Sequence, residues 1–115
     1  DSFTGADTPA EDFYGYEWKE PIALSSLLLY TGPVFQDGGW FETLDVQYQG
    51  QDGRWQPVAG LECLPRFDLE AARQGRRQYA LSFRPITTTA IRVIGRPGGS
   101  ACFTSVYELV VPRWR

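Results

Sequence analysis

Apolar and polar residues alternate most clearly over residues 40–49, where Leu44, Val46 and Tyr48 share one face and Thr43, Asp45 and Gln47 the other. A period of two marks a strand with one buried face. Residues 76–84 repeat the pattern with Tyr79, Leu81 and Phe83 directed inward. Residues 13–18 hold the β-favouring aromatics Phe13, Tyr14, Tyr16 and Trp18, and Pro21 closes that segment. Residues 22–31 follow as a strand, because the Leu27, Leu28, Leu29 run is too short for a helix and Gly32-Pro33 ends it. Gln51-Asp52-Gly53 predicts a hairpin, since Asp-Gly tolerates the positive φ of tight turns, and 54–58 is the returning strand, near an edge because of Pro57. Residues 90–94 and 103–111 complete the set. Residues 61–75 read as a long loop with at most one helical turn, and 1–12 as an irregular lead-in segment.

Short strands joined by turns predict an all-β fold, a sandwich or barrel. If every connection reverses the chain, the short links at 19–21, 50–53 and 85–89 share one end. The longer loops at 32–39, 61–75 and 95–102 share the other, together with the lead-in segment. Long loops gathered on one rim of a rigid scaffold are where binding residues concentrate.

Composition narrows the chemistry. The 115 residues form one domain by size, with ordinary apolar and charged fractions of 43% and 22%. The formal net charge of −3 and the scattered basic residues argue against a nucleic-acid partner. The longest apolar run is far too short to cross a bilayer. The absence of histidine removes Ser-His-Asp and Cys-His systems and imidazole zinc sites. Because methionine is also absent, even at position 1, Asp1 is expected to begin a piece of something longer. Carboxylate pairs such as Glu42 with Asp45, or Glu11 with Asp12, have no spacing that selects them for glycosidase work and read as solvated surface acids.

Several segments resemble the discoidin-type (coagulation-factor type C) domain, a galactose-binding-like jelly roll that includes family 32 carbohydrate-binding modules. They are Gly15-Tyr16-Glu17-Trp18, residues 35–41 (Phe-Gln-Asp-Gly-Gly-Trp-Phe), Val46-Gln47-Tyr48 followed by Asp52-Gly53-Arg54-Trp55, Ile91-Arg92-Val93-Ile94-Gly95, and residues 103–110. The resemblance implies an all-β antiparallel β-sandwich across residues 1–115. It further implies a non-catalytic module of a larger secreted protein that binds a glycan at its loop rim. An aromatic at the start of the last strand stacks on the sugar in such modules, and Phe103 holds that position. The chain departs from galactose-type members in lacking both histidine and asparagine. Its first strand also looks shortened.

A sugar site sets an aromatic face against ring C–H groups while planar polar groups engage hydroxyls. On the predicted rim, Phe35, Trp40, Phe67 and Phe103 are the aromatics, and Gln36, Asp37, Arg66 and Arg96 the polar partners. One of Trp40 and Phe41 must face the core, as neighbours on a strand point to opposite faces. Trp18 and Trp55 read as core or sheet-face residues. The glycine turns at 37–39 and 97–100 precede no helix, so they read as backbone turns rather than phosphate cradles.

No cofactor is required for such binding. Many discoidin relatives carry a structural calcium, whose remnants here would be Asp7 and Glu108. Strand alternation puts both Cys63 and Cys102 at the rim, as a bridge or as two buried thiols. The secreted character implied by the resemblance favours a disulfide, which would restrain the unfolded chain by about 4 kcal/mol. The alternative function is a protein- or lipid-contacting adhesion module or a spacer, with the acidic balance making a membrane partner the weaker of these.

Overall fold

The computed structural model describes residues 11–112. Chain order is β1 (Asp12–Thr31), β2 (Asp45–Gln49), β3 (Trp55–Pro57), β4 (Glu62–Leu64), α1 (Leu69–Arg73), β5 (Gln78–Gly95) and β6 (Val106–Val110). All pairings between these strands are antiparallel. Two long strands, β1 and β5, form a ribbon that passes through both leaves of a sandwich. Residues 12–17 pair with 90–95, the pairing slips at Glu17/Ile22 and again at Leu24/Ser26, and residues 26–30 pair with 78–82. The first leaf is therefore β3-β2-β5-β1, and the second is β4-β5-β1-β6.

The links expected at 19–21 and 85–89 are bends within these continuous strands rather than loops. Both ends of β1 come to one place. Thr104 Oγ1 donates to Asp12 Oδ2 at 2.7 Å, while the Gly32 amide donates to the Ser105 carbonyl at 2.9 Å. The ribbon has thus folded over itself, and the predicted reversal of direction holds.

At the bend, buried Thr88 does what a turn residue would do. Its hydroxyl donates to the Gln49 carbonyl at 2.7 Å and accepts the Ala90 amide at 3.2 Å, satisfying backbone that the register slip leaves unpaired. Alternation then fills the space between the leaves. Val46, Ile91 and Val93 come from the first leaf, and Leu27, Leu29, Tyr79, Leu81 and Leu109 from the second, all at most 2% exposed.

The Asp52-Gly53 hairpin forms as predicted, with Gly53 at φ 82° and the Gly50 amide donating to the Arg54 carbonyl at 2.8 Å. β3, which ends in Pro57, is an edge strand. Two expectations need correction. Residues 61–75 are not loop throughout: Glu62–Leu64 adds a strand to the second leaf, while the expected helical turn is there as Leu69–Arg73, capped by Asp68, whose carboxylate accepts the Glu70 amide. The strand expected over 40–49 begins only at Asp45, since Trp40 and its neighbours belong to the rim.

Candidate functional site

The rim is made by two loops, 32–44 and 96–105, joined through their backbones. Gly39 N donates to Phe103 O at 2.9 Å, and Ser105 N returns to Gly39 O at 3.1 Å. Further along, Gly98 N donates to Trp40 O, Glu42 N to Arg96 O and Ala101 N to Asp37 O, each within 2.9 Å. Such mutual satisfaction makes the rim a rigid extension of the sandwich. Glycine is required where the loops touch. A Cβ on Gly99, at φ 80°, would lie 2.1 Å from the Asp37 carbonyl oxygen, and one on Gly38 would lie 2.5 Å from the Phe103 ring.

Phe103 is seated on Gly38 and faces Phe35 with ring centroids 6.2 Å apart and planes at 39°. Phe35 is 54% exposed, held out by a tight turn in which Phe35 N donates to Gly38 O at 2.7 Å. Gln36 and Asp37 form the tip of that turn and are exposed. Arg96 is exposed at the start of the partner loop, level with Glu42 and Thr43 rather than with the tip: its amide donates to Thr43 Oγ1 at 2.9 Å and its carbonyl accepts the Glu42 amide. The structure therefore brings Phe35, Asp37 and Phe103 together on one rim, with Arg96 on the adjoining loop.

The other aromatics do different work. Phe41 is the buried member of its pair. Trp40 is half-buried, with Gly98 against its indole and its Nε1 donating to Glu42 Oε2 at 2.6 Å. Glu42 in turn meets Arg73 of α1 at 3.5 Å. Trp40 thus braces the rim from below. Phe67 is also packing rather than platform, its ring 5.9 Å from that of core Tyr79. Arg66 is exposed, and among the described residues no hydrogen bond or ion pair ties it to the rim. Glu42 was legible only as a surface acid, because its role depends on the orientation of an indole two residues away and on Arg73, which only the tertiary structure brings to it.

Cys63 and Cys102 are free thiols, which corrects the expected bridge. The reason is β4, which places Cys63 opposite Leu81 in the second leaf instead of in a rim loop. Cys102 stays in the rim at φ 53°, its Sγ 3.4 Å from the Gly99 carbonyl oxygen. Burial pushes the Cys63 thiol pKa up, with nearby Arg76 partly opposing it.

Asp7 lies outside the described residues. Glu108 stands exposed midway along β6, opposite Tyr30, and no three His, Cys, Asp or Glu side chains among the described residues gather to hold a metal. No described helix is long and apolar enough to cross a membrane.

No family model matches this chain, and no curated protein matches it. Among solved structures, it is similar to a chain from the architecturally intricate, multifunctional beta-galactosidase BgaA of Streptococcus pneumoniae, with a TM-score of 0.72. The superposition covers 90% of this chain and 69% of that one at 15% identity. At that identity the likeness is one of fold. It places the two-leaved sandwich beside a domain-sized chain of a glycosidase.

Proposed function

We propose that this chain is a non-catalytic, discoidin-type carbohydrate-binding module that holds a glycan on the rim. One observation carries the reading. Phe35 and Phe103 stand as a ring pair on a backbone-locked rim, where a core-directed role would have buried Phe35. The ring faces meet the C–H side of a pyranose, the Asp37 carboxylate accepts from hydroxyls, and the Arg96 guanidinium donates to them. The fold it shares with a chain of a bacterial beta-galactosidase supports a module appended to a larger, secreted glycan-processing protein. A shallow rim touching one or two sugar units binds at about −4 to −6 kcal/mol, roughly millimolar to tens of micromolar.

The test is a glycan array probed with the multivalent chain beside Phe35→Ala and Phe103→Ala. Phe35→Ala is the cleaner variant, since its side chain is exposed and its removal leaves the core intact. A defined sugar signal lost in both variants supports the rim. A signal unchanged in both overturns it.

A further inference from the structure

The pairing register fixes which side chains share the outer face of the first leaf. Three rows cross it. Phe13 lies opposite Ile94 and Asp45, Gly15 opposite Arg92 and Gln47, and Glu17 opposite Ala90, while Trp55 lies opposite Gln49 on β3. The long cationic side chain in the middle row lies beside exposed Gly15, between two aromatic flanks. Gly15 has no alternative here, because a Cβ would lie 2.2 Å from the Ile91 carbonyl oxygen and 2.7 Å from Arg92 Cβ.

Arg92 is held in place from three sides. Its guanidinium carbon lies 4.8 Å from the centroid of the Phe13 ring and 4.1 Å from that of Trp55. Its Nε and Nη2 both donate to Gln47 Oε1, at 3.0 and 2.7 Å. The Nη1 group donates to no described residue. Beside it is a hollow of about 330 Å³ lined by Phe13, Gly15, Tyr16, Glu17, Trp55 and Arg92. Phe13 remains 49% exposed despite its ring size.

We propose that this sheet-face hollow is a second glycan site, separate from the rim, that takes a neutral pyranose chain. The proposal rests on the carbohydrate reading of the domain but uses none of the rim residues. Its components answer the two demands of a sugar, flat apolar surface from Phe13 and Trp55, and hydrogen-bonding groups of both senses from Arg92 and Glu17. The guanidinium is preorganised by Gln47 and the two rings, so little side-chain freedom is lost on binding. Glu17 lines the same hollow and Glu11 is the carboxylate whose charge acts on Arg92, so the surroundings are not a net cationic cradle for a carboxylated sugar. The volume falls at the low end of the range for small-ligand sites, matching a short stretch of chain.

Indole N–H signals separate the sites in one experiment. The ¹⁵N-labelled chain is titrated with lactose, cellotetraose and mannotetraose, and with tetragalacturonate as the acidic arm, each to about 20 mM. The proposal expects the Trp55 indole and Arg92 Nε–H signals to move with a neutral chain. Phe13→Ala, at an exposed position, is expected to weaken that response by about tenfold while leaving any Trp40 response unchanged. Movement of Trp40 alone overturns the sheet-face site and leaves the rim reading standing. Movement of Trp55 alone supports this site and overturns the rim. Movement of Trp55 only with tetragalacturonate overturns the neutral assignment, and stillness at both indoles overturns both sites.

Discussion

Tyr79 shows how a single residue sets local energetics. Its ring is 2% exposed and packs against Phe67, yet its hydroxyl, buried in the core, has no hydrogen-bond partner among the described residues. The adjoining crevice, lined also by Val34, Trp40 and Phe67, measures only about 10 Å³, the lower limit for one water. An unsatisfied buried hydroxyl costs about 1–3 kcal/mol, so Tyr79→Phe is expected to raise stability by about 1 kcal/mol, read as a higher urea midpoint. A lowered midpoint would mean that the hydroxyl is satisfied. The same variant separates two contributions to alkaline unfolding. Burial raises the pKa of both the Tyr79 phenol and the Cys63 thiol, so the folded chain holds these protons more tightly than the unfolded chain does. Their stabilising contribution is complete below the ordinary values of about 10 and 8.5 and is lost as pH rises through the raised folded values. Tyr79→Phe is expected to remove the phenol share of that loss and leave the thiol share.

Elements divide into those the residues announced and those that only tertiary structure could settle. The alternation about Val46 and about Tyr79, Leu81 and Phe83 located their strands, because a half-buried strand writes its faces into the sequence. Lys19-Glu20-Pro21 and Pro85 read as turns because a polar, proline-containing break is common to a turn and to a bent strand whose pairing slips there. Cys63 was misplaced for a related reason. A strand as short as Glu62–Leu64 has too few residues to show a period, and it is fixed by its partner β5. The rim was legible as a cluster of loops, and Phe35, Asp37 and Phe103 within it, because glycine spacing marks turns and unburied aromatics stand out in them. Arg92 was not, since its flanking rings come from β1 and β3, 79 and 37 positions away in the chain.

The rim as an element also has a lock that can be opened without touching a sugar-facing side chain. Gly99→Ala puts a Cβ into the Asp37 carbonyl at a backbone angle that alanine resists. The Ala101 N to Asp37 O bond must then lengthen, and the tip carrying Asp37 shifts. Stability is expected to fall by about 1–2 kcal/mol and glycan binding by more than that fraction of its free energy. Thermal denaturation and the array signal together check this. Binding retained at wild-type strength would show that the Asp37 tip is not part of the site.

At the scale of the whole molecule, the folded ribbon does two things at once. By bending β1 and β5 over one another it closes a core from only 115 residues, and by bringing both ends of β1 to the same place it builds the rim beside the chain's path into the sandwich. The outer face of the first leaf remains free of any other described element, so the rim and the sheet face are presented on one rigid body of extents 41 × 31 × 21 Å. Two weak sites on a rigid body favour a ligand that reaches both. Once one site holds a polysaccharide, the other meets the same chain at an effective concentration in the millimolar range, comparable to its own dissociation constant. Binding to a long neutral glucan, mannan or galactan surface is therefore expected to exceed binding to the matching tetrasaccharide by about twofold, the factor set by one plus the ratio of effective concentration to dissociation constant. Phe13→Ala and Phe35→Ala should each abolish most of that excess while leaving tetrasaccharide affinity at the untouched site intact. Depletion assays on insoluble polysaccharide beside calorimetry on the oligomer measure both quantities. Equal affinity for surface and oligomer would show that the two sites do not act on one chain.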